Sequence, residues 1–408
     1  MKYLLIFILS FLIGCGSSSE FGDSNTKVKG GKLIDTINST DIKNELHKRG
    51  IEKEVSKIFS LKAYKILYKT VNINNKEITA SGVVIVPVLD IDSNSEIIDT
   101  TGFEIVLDLH PTIFLNSQAP TVSIENSGLP YGGEIPYSAL NGFITIIPDY
   151  LGYGESKKEV EPYLIKNPTR ENIVDFTKAA FNFLLENNIA ISSNRGLYVS
   201  GYSEGGYVAL TIPKSLEDAG FNISMIAPMD GPYLLELLGR AIKDAKEIEK
   251  PSFIVKLIYS YSKKYGYSLN NIFQNSYAKK IDTIFDKEHS QNDIDRELTT
   301  KVKGDSGLFK DSFWDSYSTS NFRKKLIKNS ILKIGIDAPI KLIHCIGDNV
   351  VPYSIAKREE SILKLFDDVE LITSDSKESP LNHIKCAPKA YEKAAELFAN
   401  RRKELIGY

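Results

Sequence analysis

The sequence predicts an α/β fold: a mostly parallel central sheet with helices on both faces, interrupted by an inserted helical segment. Two observations carry this. Between about residues 60 and 400, β-branched apolar runs of strand length alternate with stretches of helical period, and the alternation breaks once, between 231 and 335. The motif Gly201-Tyr202-Ser203-Glu204-Gly205-Gly206 follows the apolar run Gly196–Ser200 and precedes a helix-length segment from Tyr207. A G-x-S-x-G in that setting is a tight strand-to-helix turn that presents a serine.

Composition bounds the function classes. The 408 residues are enough for one large core with an insertion. The 50 Lys+Arg nearly cancel the 52 Asp+Glu, so charge offers no reason to expect nucleic acid as a partner. Three cysteines make no disulfide framework. The sequence carries no phosphate-binding glycine loop and no Cys/His metal spacing, so no cofactor and no metal are expected. Asp90-Ile91-Asp92-Ser93-Asn94 lacks the glycine and closing glutamate of a calcium loop and reads as a solvated loop.

Taken in order, Lys2 followed by the apolar run Tyr3–Ile13 reads as a secretory signal, too short for the roughly 20 residues of a bilayer span. Leu12-Ile13-Gly14-Cys15 resembles a bacterial lipobox. That resemblance implies cleavage after residue 14 and lipidation of Cys15; a secreted protein cut elsewhere is the alternative. Residues 15–40 read as a polar tether. The expected setting is an exported domain, lipid-anchored to a membrane of the bacterial cell envelope, in an oxidising compartment.

The core's first part is expected over 41–230. Residues 41–60 have helical spacing. Ala63–Val71 and Ile78–Pro87 read as an antiparallel edge pair. Phe103–Leu109 and Gly142–Pro148 read as buried parallel strands. Apolar Ile173, Phe176, Ala179, Ala180, Phe183 and Leu184 mark a helix leading to the strand before Ser203, and Phe221–Ala227 is the next strand. Residues 231–335, rich in Lys, Tyr and Phe and without a buried-strand run, read as a helical cap around Trp314. The second part of the core, 336–408, holds strands near Pro339–Cys345 and Val369–Thr373, a helix near Ile355–Phe366 and a last helix near Ala387–Glu404.

A nucleophilic serine needs a base and an acid that orients the base. On this kind of fold their chain order is serine, acid, histidine. Three histidines follow Ser203. His289 falls in the cap, His344 inside a strand, and His383 in the polar loop Glu378–His383 before the last helix, where a mobile imidazole belongs. Asp348, in Gly347-Asp348-Asn349-Val350-Val351-Pro352, directly follows a strand and is the preferred acid; Asp230 is the second candidate. The oxyanion formed on attack needs two backbone N–H donors: Glu204, and one from the loop Leu109-His110-Pro111-Thr112-Ile113. Gly201 and Gly205 are the elbow positions where side chains would collide with strand and helix.

With Pro148–Ser156, Asp230-Gly231-Pro232 at the start of the cap, Gly347-Asp348 and His383, these motifs resemble the α/β-hydrolase fold, and within it the capped secretory-lipase and esterase family of bacteria and fungi. The resemblance spans about residues 60–400. It implies a hydrolase of small-molecule or lipid carboxylic esters, with Ser203 as nucleophile, Asp348 as acid and His383 as base. That family usually has His-Gly in the oxyanion loop. Here it is His110-Pro111, and proline has no N–H. The family geometry places the donor one residue later, at Thr112. Asp149, Gly152 and Gly154 are expected to shape a turn, and Tyr150 and Tyr153 to line the acyl pocket or pack. Cys345 and Cys386 flank the acid and base loops and either form a disulfide or remain separate thiols. The alternatives to an esterase are a serine peptidase of the same fold and a non-catalytic binding lipoprotein.

Overall fold

The computed structural model describes residues 31–48, 58–89, 102–127, 135–192 and 196–406. The expected signal, Cys15 and the Asp90–Asn94 loop lie outside them. Nine strands form one sheet: β1 (Lys32–Asn38), β2 (Ile58–Val71), β3 (Glu77–Leu89), β4 (Ile105–Leu109), β5 (Ile144–Pro148), β6 (Leu197–Tyr202), β7 (Ile223–Met229), β8 (Ile340–Ile343) and β9 (Val369–Ile372). Their spatial order is β1-β2-β3-β5-β4-β6-β7-β8-β9. The three pairings from β1 to β5 are antiparallel, and those from β5 to β9 are parallel.

Every residue of β4, β5 and β6 is buried. This is why their sequences are continuous apolar runs: helices cover both faces. The two-residue period of a strand divides β6 between two cores. Leu197 and Val199 join Phe176, Ala180 and Phe183 of the helix Lys166–Glu186. Tyr198 and Tyr202 join Ala390, Tyr391 and Phe398 of the helix His383–Ile406. The sheet therefore fixes the start of the last helix, with His383, on the opposite face from the helix Glu204–Thr211 that follows Ser203.

Two expectations need correction. Residues 32–40 are not tether: β1 pairs with β2, and the helix Ser39–Lys48 starts directly after it. Only Ile37 of β1 is buried, so an edge strand of this kind carries almost no apolar signal. The helical reading of 41–60 also runs too far, because β2 already begins at Ile58.

Residues 231–335 contain helices and no strand. The two longest helices are Leu235–Asp244 and Pro251–Tyr265. The segment's aromatic side chains gather around Trp314, whose ring centroid lies 5.1 Å from Phe309, 4.7 Å from Phe313 and 5.4 Å from Tyr317. Tyr261 and Leu326 of this segment share one apolar cluster with Leu107 and Val199 of the sheet.

Candidate active site

Ser203 sits at the carboxyl end of β6 with φ 56° and ψ −113°, a left-handed conformation that strains a residue with a Cβ. Two backbone bonds hold it there: its N–H donates to Met229 O at 2.8 Å, and its carbonyl accepts from Tyr207 N at 3.1 Å. A Cβ on Gly205 would run into the Leu109 carbonyl and come within 2.9 Å of His110 O. One on Gly201 would meet the Gly205 carbonyl and lie 2.7 Å from Leu109 O. These obstacles are all backbone and cannot swing aside, so both positions require glycine.

The structure brings together three residues separated by up to 180 positions. His383 Nε2 lies 2.9 Å from Ser203 Oγ, and His383 Nδ1 lies 2.7 Å from Asp348 Oδ2. The other Asp348 oxygen accepts the Val350 and Val351 N–H groups, both at 2.8 Å. Burial opposes the charge on Asp348, but the His383 hydrogen bond and the nearby imidazoles outweigh it and hold the carboxyl below its ordinary value. An ionised Asp348 selects the tautomer with hydrogen on Nδ1, leaving Nε2 to accept from the serine. Tyr202 O–H donates to the His383 carbonyl, and the His383 N–H donates to Asn349 Oδ1 at 3.3 Å.

Two further aspartates support this geometry: Asp375, which carried no sequence signal beyond a turn, and Asp230, the second candidate for the acid. Asp375, after β9, accepts from Ile346 N at 2.7 Å and Gly347 N at 3.2 Å in the acid loop, and from Leu381 N at 2.9 Å in the histidine loop. Asp230, at the end of β7 with φ 46°, accepts from Cys345 N at 3.0 Å and touches the Asp348 carboxyl rather than the His383 ring. Burial first, then the Asp348 charge, push Asp230 well above the ordinary carboxyl value, so it is a neutral acid beside an ionised one.

A disulfide joins Cys345, past β8, to Cys386 in the first turn of the last helix. It ties the two loops that carry Asp348 and His383. Asp230, Cys345 and Cys386 cluster closely enough to hold a metal, as do Asp230, His344 and Asp348. In the first group both sulfurs are spent in the disulfide; in the second Asp348 is committed to His383 and two N–H groups. His344 is buried with Nε2 2.8 Å from Val351 O, and burial lowers its pKa. His289 is exposed and pairs with Asp286 at 2.9 Å.

Neither the Thr112 N–H, in the loop after β4, nor the Glu204 N–H is taken by an acceptor among the described residues. The carbonyls around them are held. Tyr150 O–H donates to His110 O at 3.1 Å, and Tyr153 O–H to Ile113 O at 2.7 Å. The His110 ring stacks on Tyr150 at 3.9 Å; burial lowers its pKa to about 4, so it is neutral, and Nδ1–H donates to Pro111 O at 2.7 Å. The Thr112 hydroxyl lies 3.0 Å from Tyr163 OH. Asp149, wholly buried, accepts from Thr121 N and the Thr121 and Ser81 hydroxyls, anchoring the turn after β5.

A cavity of about 370 Å³ opens beside Ser203. Leu238, Ala241, Ile242, Phe253, Ile254 and Leu257 from the helical segment form much of its wall, and Val350, Val351 and Pro352 the side nearest Asp348. Glu247, Glu249 and Lys250 add charge to the lining. Asn349 Nδ2 donates to Glu249, linking the acid loop to that segment.

No family model matches the sequence, and no curated protein matches it. Solved structures do. A protein from Legionella pneumophila superposes with TM-score 0.79 at 21% identity, over 93% of this chain and 99% of that one. The rice cell wall degrading esterase LipA from Xanthomonas oryzae superposes with TM-score 0.74 at 19% identity, over 93% and 97%. Candida antarctica lipase A in its closed state gives 0.58 at 12% identity, over 89% and 82%. The arrangement of sheet and helices is the α/β-hydrolase fold.

Proposed function

We propose that this α/β-hydrolase-fold chain is a serine hydrolase of carboxylic esters, with Ser203 as nucleophile, His383 as base and Asp348 as acid. The observation that carries the reading is the pair of contacts on one imidazole, 2.9 Å to Ser203 Oγ and 2.7 Å to Asp348. His383 takes the Ser203 proton as Oγ attacks the ester carbonyl, and ionised Asp348 stabilises the resulting imidazolium. The Thr112 and Glu204 N–H groups receive the tetrahedral oxyanion. Collapse releases the alcohol, protonated by His383, and leaves an acyl-enzyme. Water deprotonated by His383 attacks that ester, and the acid departs as Ser203 regains its proton.

The apolar wall beside Ser203 favours a substrate with an aliphatic or aromatic chain over a peptide, whose flanking amides would go unpaired against Leu238, Ile242 and Leu257. Export belongs to the same proposal, with lipid on Cys15; the Cys345–Cys386 disulfide agrees with an oxidising compartment. The test is labelling with a fluorophosphonate, together with turnover of chromogenic esters and amides, in the wild type, Ser203→Ala and His383→Ala. Labelling and ester turnover that vanish in both variants support the reading. A folded wild type that neither labels nor turns over would make the chain a binding protein, and faster amide than ester turnover would make it a peptidase.

A further inference from the structure

Glu204 supplies one proposed oxyanion donor through its backbone, yet its side chain is also unusual. It is 3% exposed and lies beside the Glu161 carboxyl and the Thr112 hydroxyl. Glu161 is half-buried, its side chain 9% exposed, with Oε2 2.8 Å from Nζ of Lys256 on the helix Pro251–Tyr265. Lys256 is buried too. Its ammonium also donates to the Ile113 carbonyl and, at 2.8 Å, to Tyr153 OH. An ammonium has three N–H groups, and these three acceptors use them all.

Hydrogen counting then leaves one proton to place. Lys256 spends its three N–H groups on other acceptors, and Glu204 Oε2 and Glu161 Oε1 would both lack a donor as carboxylates. A single proton between the two carboxyls satisfies both oxygens, as in a carboxyl dyad. Burial and the Glu161 charge, working against Lys256, push the Glu204 carboxyl well above its ordinary value.

We propose that Glu204 is a positioning residue: as a neutral acid it donates to Glu161 and, through Thr112 and the Lys256–Ile113 bond, holds the oxyanion loop against the cap. The proposal rests on the ester-hydrolase reading of Ser203. The chain of contacts runs from Tyr163 OH through the Thr112 hydroxyl, Glu204 and Glu161 to Lys256 and back to the Ile113 carbonyl. Both ends of the donor-bearing turn at Thr112 are thereby tied to a buried polar cluster. In this chain the turn contains Pro111, which can make no N–H bond of its own.

The charged and titratable groups around the pair come from four elements. The oxyanion loop presents His110. The segment after β5 presents Tyr150, Tyr153 and Tyr163, whose phenols are raised first by burial and further by the Glu204 and Glu161 charges. The helical segment presents Lys256 and Lys287, and burial brings Lys287 to about 8. Asp108 of β4 faces Tyr150. Alkali that removes the shared proton puts a second carboxylate beside Glu161 and drives the Thr112 turn off its position, so kcat falls on the alkaline side.

The experiment compares the full-length wild type with Glu204→Ala, Glu204→Gln and Ser203→Ala, each checked for a native melting transition. Glu204→Ala is expected to lower kcat about 100-fold, the lower range for losing an oxyanion donor, with KM little changed. Glu204→Gln keeps shape and donor, so kcat is expected to recover to within about fivefold of wild type and to lose the alkaline fall. Infrared spectra at neutral pH supply a readout independent of turnover: the carbonyl stretch of a protonated buried carboxylic acid, present in the wild type and Ser203→Ala and absent in Glu204→Gln. An undiminished kcat in Glu204→Ala, a Gln variant as impaired as the Ala variant, or no such band in the wild type overturns the proposal. Turnover that survives Ser203→Ala instead overturns the ester-hydrolase reading, and leaves the infrared result standing.

Discussion

Replacing Asp348 by Asn tests how the acid is chosen between two candidates. In the wild type, Asp348 Oδ2 accepts the His383 Nδ1–H at 2.7 Å, and its other oxygen is pinned by the Val350 and Val351 N–H groups. An asparagine in the same rotamer turns an N–H₂ or a weaker carbonyl acceptor toward the ring. The imidazole then favours hydrogen on Nε2, which cannot accept from Ser203, and the imidazolium loses its counter-charge. The corresponding change in a serine protease lowers kcat about 10⁴-fold, or about 5.4 kcal/mol at 1.36 kcal/mol per decade. Asp230 sets the competing outcome. It touches Asp348, is kept neutral partly by the Asp348 charge, and becomes easier to ionise once that charge is gone. Its Oδ1 is already engaged by Cys345 N at 3.0 Å, so it is not free to turn toward His383. The expected result is therefore the full loss, about 10⁴-fold in kcat, measured on a short-chain ester with a native melting transition. Addition of Asp230→Asn to Asp348→Asn is expected to change little further. A loss of less than about 100-fold in the single variant, deepened by Asp230→Asn, would refute the assignment of Asp348 as the sole acid.

Three further outcomes follow from particular contacts. The Cys345–Cys386 bond closes a 41-residue separation, so Cys345→Ala with Cys386→Ala is expected to lower the unfolding free energy by about 4 kcal/mol in denaturant titration; a change below 1 kcal/mol would show that the bond contributes little to the folded state. His110 titrates at about 4 when folded against about 6.5 unfolded. The folded state thus binds fewer protons between those values, and stability is lost as pH falls from 6.5 to 4. His110→Phe, which retains a ring against Tyr150, is expected to remove about 3 kcal/mol of that acid-side loss; a pH–stability curve parallel to the wild type would contradict it. Leu257→Trp fills part of the cavity beside Ser203, so kcat/KM is expected to fall more for each longer acyl ester, by about fourfold per CH₂ excluded, at about 0.8 kcal/mol each. An equal loss across the ester series would mean the acyl chain lies elsewhere.

The sequence by itself determined most of the scaffold. Strands buried on both faces must be continuous apolar runs, so β4, β5 and β6 were readable from residue type alone. The G-x-S-x-G spacing reported the close approach at Gly201 and Gly205, because backbone-to-backbone contact excludes a Cβ whatever the surroundings. The polar loops after strands narrowed base and acid to His383 and two aspartates. Tertiary structure decided what local pattern does not encode. β1 is an edge strand with one buried residue, so only its pairing with β2 reveals it. Asp230 and Asp348 are alike in sequence, each after a strand beside a glycine, and only the side-by-side placing of β7 and β8 sets which carboxyl meets His383 and which stays neutral behind it. Asp375, Glu161 and Lys256 look like ordinary surface charges in the chain. Folding brings them from distant segments against the catalytic loops, Lys256 buried and Asp375 and Glu161 half-buried. There their charges take up backbone and side-chain partners, which makes them supports of those loops.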